Sequence, residues 1–79
     1  MISEKSLHKS AVDVISNLLG TLRYVCNNYR VGNITYDFCL HNYNLTVAFI
    51  NAYHDLGLIN DFVFKVALDK AFNLLYADY

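Results

Sequence analysis

Residues 38 to 54 read FCLHNYNLTVAFINAYH and contain no formally charged side chain, while Asp37 and Asp55 stand at the two ends. In a helix that turns about 100° per residue, this segment has apolar residues on two nearly opposite sides. One stripe consists of Tyr36, Leu40, Tyr43, Val47 and Ile50, and the other of Phe38, Leu45, Phe49 and Leu56. Because a helix with two apolar stripes needs a neighbour on each side, we predict that this is the central helix of a bundle with both stripes buried.

Two glycines divide the chain into three helical segments, which we predict near residues 4–29, 35–56 and 61–77. Side-chain oxygens favour helix starts because they accept hydrogen bonds from free N–H groups, and glycine favours helix ends because it tolerates positive φ. The predicted starts are marked by Ser3 or Ser6, by Thr35 or Asn33, and by Asn60, and the ends by Gly32 and Gly57. The two short connections predict an all-α, up-down-up three-helix bundle in which residues 1–79 form a single domain.

The first helix is long and amphipathic, with apolar residues at steps of three and four from Leu7 to Tyr29 and a polar stripe opposite them. The third helix has an apolar core side made of Val63, Phe64, Ala67, Leu68, Ala71, Leu74 and Leu75. Its outer side carries further apolar residues that core packing does not require. We therefore predict a partner-binding surface there, with a charged rim, formed by Phe62, Lys65, Val66, Asp69, Phe72 and Tyr76.

The composition also favours association with other molecules. Of the 79 residues, 56% are apolar and 16% are charged, whereas about 45–50% and about 25% are usual. A small domain cannot cover such an excess of apolar surface, and exposed apolar patches mark interaction sites. Tyr24, Tyr53 and Tyr79 also lie off the predicted core stripes.

Codon-related composition suggests an origin. Residues with AT-rich codons (Phe, Tyr, Met, Ile, Asn, Lys) total 31, and those with GC-rich codons (Gly, Ala, Arg, Pro) total 11. We predict an AT-rich genome, such as that of a phage or mobile element of low-GC bacteria.

The distribution of charged residues argues against a nucleic-acid partner. Residues 1–30 carry four Lys or Arg and two Asp or Glu, and residues 31–79 carry two and five. Neither part has the basic cluster that binds phosphates, so no nucleic acid is expected as a partner.

The first residues, MISEK, lack the apolar core of a secretory signal, and residues 38–54 are too short and too polar to span a membrane. We expect a cytoplasmic protein.

Neither cysteine is predicted to bind a metal or form a disulfide. The spacing between Cys26 and Cys39 is not that of paired zinc ligands. In a reducing compartment both thiols are expected to be reduced, and both side chains are expected to be buried like small apolar residues. Asp37 and His41 share a helix face, but His54 lies more than three turns away from them. No metal or other cofactor is therefore expected.

The sequence contains no arrangement typical of an enzyme. The serines all lie in the first half of helix 1, close to His8, and no two glycines lie within ten residues of each other, which excludes a glycine-rich phosphate loop. A three-helix body of this size is expected to leave little room for a pocket of several hundred Å³. We predict no catalytic residues.

The preferred hypothesis is a protein-interaction module that binds and inhibits or modulates a host or partner protein. One alternative is a homo-oligomeric structural or accessory protein, for example a homodimer, that buries the same face. Another is a small helix-turn-helix DNA-binding regulator, since helices 2 and 3 are joined by a short glycine-containing turn. Helix 3 opens with Asp61-Phe62-Val63-Phe64, however, without the basic or amide residues that a recognition helix presents.

Overall fold

The computed structural model describes residues 4–76, whose regular structure consists of three α-helices. They are α1 (Glu4–Arg30), α2 (Tyr36–Asp55) and α3 (Asp61–Tyr76). Each helix packs against both others, so the predicted all-α three-helix bundle is confirmed. The helix bounds agree with the prediction to within one residue; residue 77, where α3 was predicted to end, and Tyr79 lie outside the described residues. None of the described helices is long and apolar enough to cross a membrane.

The starts of α2 and α3 are capped by the predicted side chains. Thr35 Oγ1 accepts a hydrogen bond of 3.2 Å from the Phe38 N–H, and Asn60 Oδ1 accepts one of 2.9 Å from the Val63 N–H. At the start of α1, Ser6 lies inside the helix and so is not its cap, while Ser3 lies outside the described residues. Local capping therefore sets two of the three starts.

Both predicted glycine stops are confirmed, because Gly32 and Gly57 have φ values of 83° and 73°. At the end of α2, the Gly57 N–H donates to the His54 carbonyl and the Leu58 N–H donates to the Tyr53 carbonyl. The N–H groups of Gly32 and Asn33 make the same pair of bonds at the end of α1. This pattern satisfies carbonyls that a helix end leaves free, and its positive φ favours glycine.

The core consists of two neighbouring clusters of buried side chains, one toward each end of the bundle. The first contains Leu22, Val25, Cys26, Cys39, Ala71 and Leu74. The second contains Ala11, Ile15, Ile50, Ile59 and Ala67. Leu19 packs against both clusters. The buried hydroxyl of Thr46 donates to the Asn42 carbonyl at 2.9 Å, so its burial leaves no donor unpaired.

The prediction that both apolar stripes of α2 are buried is wrong. Ile50 on the first stripe is fully buried, but the residues of the second stripe are between 46% and 71% exposed: Phe38, Leu45, Phe49 and Leu56. The reason is geometric. Because α1 and α3 also contact each other, they approach α2 from neighbouring directions and leave its opposite side uncovered.

Candidate protein-interaction surfaces

The predicted partner-binding residues lie on the exposed side of α3. Phe62 in the first turn is 76% exposed, Phe72 and Tyr76 are about half exposed, and their rings lie 4.7 Å apart between centroids. Lys65 and Asp69 are also exposed, whereas Val66 is half-buried. Ten residues separate Phe62 from Phe72, which is about 15 Å of helix. The structure therefore brings Phe72 and Tyr76 together and places Phe62 apart from them, near the other end of α3.

Tyr76 also contacts tyrosines of α2, and one of these, Tyr36, contacts Tyr29 of α1. Its ring meets that of Tyr43 edge to face at 6.3 Å, and the rings of Tyr29 and Tyr36 lie 5.5 Å apart. We call these residues the tyrosine cluster: Tyr29, Tyr36, Tyr43, Phe72 and Tyr76. All are half-buried or exposed, and they lie where α1 and α3 end and α2 begins. Aromatic pairs in these geometries attract one another beyond simple burial, so the cluster is an ordered surface.

The phenol groups of this cluster influence one another's ionisation. Partial burial raises the pKa of Tyr36, and the charge and hydrogen bonding of Tyr76 raise it further, followed by smaller contributions from Tyr29 and Cys39. Burial also raises the pKa of Tyr43, with a second contribution from Tyr76. Both tyrosines therefore present neutral hydroxyl groups at physiological pH, which can donate and accept hydrogen bonds.

Arg30 holds the end of the bundle on which the tyrosine cluster lies. Its Nη2 donates to the Leu74 carbonyl in the last turn of α3 at 2.5 Å, and its Nη1 donates to Asn27 Oδ1 at 3.2 Å. A guanidinium at a helix C-terminus satisfies a free carbonyl and interacts favourably with the helix dipole. The contact thus fixes the last turn of α3 to the last turn of α1.

A second apolar surface lies on α2. Its large exposed residues are the four of the uncovered stripe, and exposed His41, Ala48 and Ala52 lie among them. We call this surface the outer α2 face: Phe38, His41, Leu45, Ala48, Phe49, Ala52 and Leu56. It contains no Asp, Glu, Lys or Arg. Its apolar character makes the outer α2 face a candidate interaction surface.

At the opposite end of the bundle, His54 links the end of α2 to the start of α3. Its Nε2 lies 2.7 Å from Asp61 Oδ1, and its ring stacks on Phe64 with centroids 4.0 Å apart. The imidazole is thus held by a carboxylate and an aromatic ring of the same neighbouring helix. Asp61 itself is 98% exposed, so the pair is a surface contact that contributes little to stability.

The two cysteines are buried, as predicted, and lie next to each other. Cys26 Sγ and Cys39 Sγ are 3.3 Å apart, and both thiols are free. Burial raises the pKa of Cys26 to about 12, with further contributions from hydrogen bonding and charge interaction with Cys39. Because the nucleophilic form of cysteine is the thiolate, Cys26 does not act as a nucleophile at neutral pH. Among the described residues, no group of three or more His, Cys, Asp or Glu side chains could hold a metal ion.

An open groove of about 400 Å³ lies between α1 and α3. The expectation that the bundle leaves little room for a pocket of this volume was wrong. Gly20 has no side chain and that of Ser16 is small, so the space between the two helices stays unfilled. The lining residues are Ser16, Leu19, Gly20, Arg23, Lys70, Asn73 and Leu74. This set includes two cations but no carboxylate, imidazole or thiol that could activate the Ser16 hydroxyl.

Much of this arrangement differs from what the sequence predicts. Tyr29, Tyr36 and Tyr43 follow the apolar periodicity of their helices and were assigned to buried sides, yet the first two are about 40% exposed. The sequence does contain a signal for this exposure. Tyrosine often occupies positions where its ring contacts apolar groups and its hydroxyl contacts water, and all three tyrosines lie within two turns of a helix end. The pairing with Phe72 and Tyr76 depends on how the helices align and has no counterpart in the sequence.

No protein-family model, no curated protein and no solved structure matches this chain. Its class is therefore defined by architecture alone: a small three-helix bundle with two exposed surfaces rich in apolar and aromatic residues.

Proposed function

We propose that this chain is a protein-interaction module that binds another protein through the tyrosine cluster and the exposed side of α3, and so inhibits or modulates it. The observation that carries the proposal is the contact between Phe72 and Tyr76, which are both about half exposed. Their exposure leaves apolar area for a partner. Their mutual contact, and that of Tyr76 with Tyr43, reduces the side-chain entropy lost on binding.

The surroundings of these rings suit a protein partner. Tyrosine is enriched among the residues that dominate binding energy at protein interfaces. Lys65, Asp69 and Lys70 are exposed on the same helix and supply a polar rim, which contributes to specificity and association rate more than to affinity. Phe62 and Val66 extend the proposed surface toward the start of α3.

The alternatives have less support. A DNA-binding α3 would present Asp61 and Phe62 in its first turn, and a fully exposed carboxylate there repels phosphates. An enzymatic role lacks an activated nucleophile or acid–base pair in the α1–α3 groove. A cytoplasmic location is part of the proposal, and such a reducing compartment would keep the buried Cys26 and Cys39 thiols reduced. If the gene belongs to a phage, we propose a host protein as the partner.

The proposal can be tested with immobilised protein and lysate of the cells in which the gene is expressed. A specific partner should bind the wild type and be lost with the double variant Phe72→Ser/Tyr76→Ser. The matched control is Tyr24→Ser, since Tyr24 is 70% exposed on α1 and lies outside both surfaces. The purified partner should then bind the wild type at least 100-fold more tightly than the double variant.

Circular dichroism separates loss of binding from loss of folding, because both variants should keep the helix content of the wild type. A partner that is retained equally by the double variant, or lost equally with Tyr24→Ser, would contradict the proposed surface.

A further inference from the structure

We propose that Cys26 and Cys39 are a reversible redox pair, which closes to an intrachain disulfide when a low-molecular-weight disulfide such as oxidised glutathione accepts the electrons. The two sulfur atoms lie 3.3 Å apart, and both thiols are free. A disulfide bond is about 2.0 Å long, so the sulfurs need to approach each other by only about 1.3 Å. Neither cysteine belongs to the surface proposed to bind a partner, so this inference does not depend on the proposed function.

The position of the two thiols in the bundle favours closure within one chain. Cys26 lies in α1 and Cys39 in α2, and their side chains are 1% and 0% exposed. One turn away from this pair, the rings of Tyr29 and Tyr36 also join α1 to α2, with centroids 5.5 Å apart, so the two helices stay close beside the thiols. Because a thiol of another folded chain cannot reach either buried sulfur, each cysteine has the other as its available partner.

The reaction is a thiol–disulfide exchange in two steps. The thiolate of one cysteine attacks a sulfur of oxidised glutathione, which forms a mixed disulfide and releases one glutathione thiolate. The thiolate of the other cysteine then attacks the protein sulfur of the mixed disulfide and releases the second glutathione. The protein loses two protons and two electrons, and oxidised glutathione gains them to become two molecules of reduced glutathione.

Burial makes this exchange slow. Burial above all raises the pKa of Cys26 to about 12, so its thiolate is rare at neutral pH. Glutathione reaches the sulfurs only when α1 and α2 separate transiently by local opening. The pair therefore follows the redox poise of its surroundings over long times. It stays reduced where glutathione is mostly reduced, and it closes where oxidised glutathione accumulates.

The disulfide stabilises the bundle by restricting the unfolded chain. Cys39 follows Cys26 by 13 residues, and closing a loop of this length changes the folding equilibrium by about 100-fold. Oxidation and folding are linked in one thermodynamic cycle, so each must favour the other by the same factor. The folded chain should therefore form the disulfide about 100-fold more favourably than the unfolded chain.

Equilibration in glutathione buffers tests the proposal on the wild-type chain. Folded chain and chain unfolded in urea are equilibrated at a series of ratios of oxidised glutathione to the square of reduced glutathione. The remaining thiols are then alkylated and counted by mass spectrometry. The folded chain should be half oxidised at a ratio about 100-fold lower than the unfolded chain, and chain that was oxidised before refolding should reach the same midpoint. An equal or higher midpoint for the folded chain, or disulfides mainly between chains, would overturn the proposal.

Denaturant titration of the reduced and the oxidised protein measures the same factor independently. Oxidation should stabilise the wild type by about 2.7 kcal/mol, which is the 100-fold change converted at about 1.36 kcal/mol per factor of ten. The control variants Cys26→Ala and Cys39→Ala keep one thiol each, and oxidised glutathione should leave their stability unchanged. The comparison of the two wild-type forms does not depend on how well the variants fold. An oxidised wild type no more stable than the reduced one, or a single-cysteine variant stabilised as much as the wild type, would contradict a disulfide pair.

Discussion

Cys26 Sγ lies 3.3 Å from Cys39 Sγ, and this contact between two buried free thiols joins α1 to α2 within one of the two core clusters. A lone buried thiol packs like a small apolar residue, but here each thiol has a partner. Burial and the neighbouring sulfur together hold the pKa of Cys26 at about 12, against an ordinary value of 9.0.

Alkylation should reveal this pKa. In the folded protein at pH 8, we expect Cys26 to react with iodoacetamide about 1,000-fold more slowly than an unperturbed thiol, because the thiolate fraction falls tenfold per pKa unit. Mass spectrometry of timed samples gives the rate. Protein unfolded in denaturant is the control and should react at an ordinary rate. Rapid alkylation of the folded protein would contradict the close contact.

Alkaline pH should destabilise the fold. Cys26, Tyr36 and Tyr43 all have raised pKa values in the folded state, so the unfolded chain loses these protons first. Their contribution to stability is complete below the unfolded pKa values and is lost as the pH rises through the folded ones, from about 9 toward 12. The Tm should fall across that range. In Tyr36→Phe/Tyr43→Phe it should fall less steeply, and a slope equal to that of the wild type would refute the tyrosine contribution.

Two neighbouring residues of α2 should respond oppositely to the same substitution. Ile50 is fully buried and Phe49 is 46% exposed. Ile50→Asp should unfold the domain, since an unpaired buried carboxylate costs several kcal/mol, comparable with the total stability of about 5 kcal/mol at this size. Phe49→Asp should keep the fold. Thermal unfolding measured by circular dichroism checks both, and unfolding of Phe49→Asp would mean that the outer α2 face is core.

Glycine substitutions should likewise have opposite effects. Gly57 has a φ of 73° at the end of α2, so Gly57→Ala should destabilise the protein by about 1–2 kcal/mol. Gly20 lies inside α1, and an added Cβ there meets nothing within 4 Å. Gly20→Ala should therefore stabilise it by about 0.5–1 kcal/mol. Denaturant titration measures both, and a stabilising Gly57→Ala would contradict the helix stop.

Removal of the Arg30 side chain should loosen the end of α3. Arg30→Ala loses the hydrogen bonds to the Leu74 carbonyl and to Asn27 and should cost about 1.5–3 kcal/mol, as expected for hydrogen bonds made by a charged group. Hydrogen exchange should become faster mainly in the last turn of α3. The conservative control Arg30→Lys should retain part of the stability, and unchanged exchange in Arg30→Ala would show that the contact does not order α3.

The helices and their ends could be predicted from the sequence because the interactions that set them are local. Thr35 and Asn60 cap the helices that follow them, and Gly32 and Gly57 end the helices that precede them, all through bonds within a few residues. The core side of α1 could be predicted for the same reason, since one apolar stripe faces a polar one. The core side of α3 could be predicted because its Leu and Ala residues share one side of the helix.

Only the tertiary structure decided which stripe of α2 faces the core, where Cys26 meets Cys39, and which tyrosines form a surface. Periodicity reports that Ile50 and Phe49 lie on different sides of one helix, but not the directions from which α1 and α3 approach it. Those directions depend on the contact between α1 and α3, and hence on residues far apart in the chain. The exposure of Phe49 and the pairing of Tyr43 with Tyr76 are therefore properties of the packed bundle rather than of any segment.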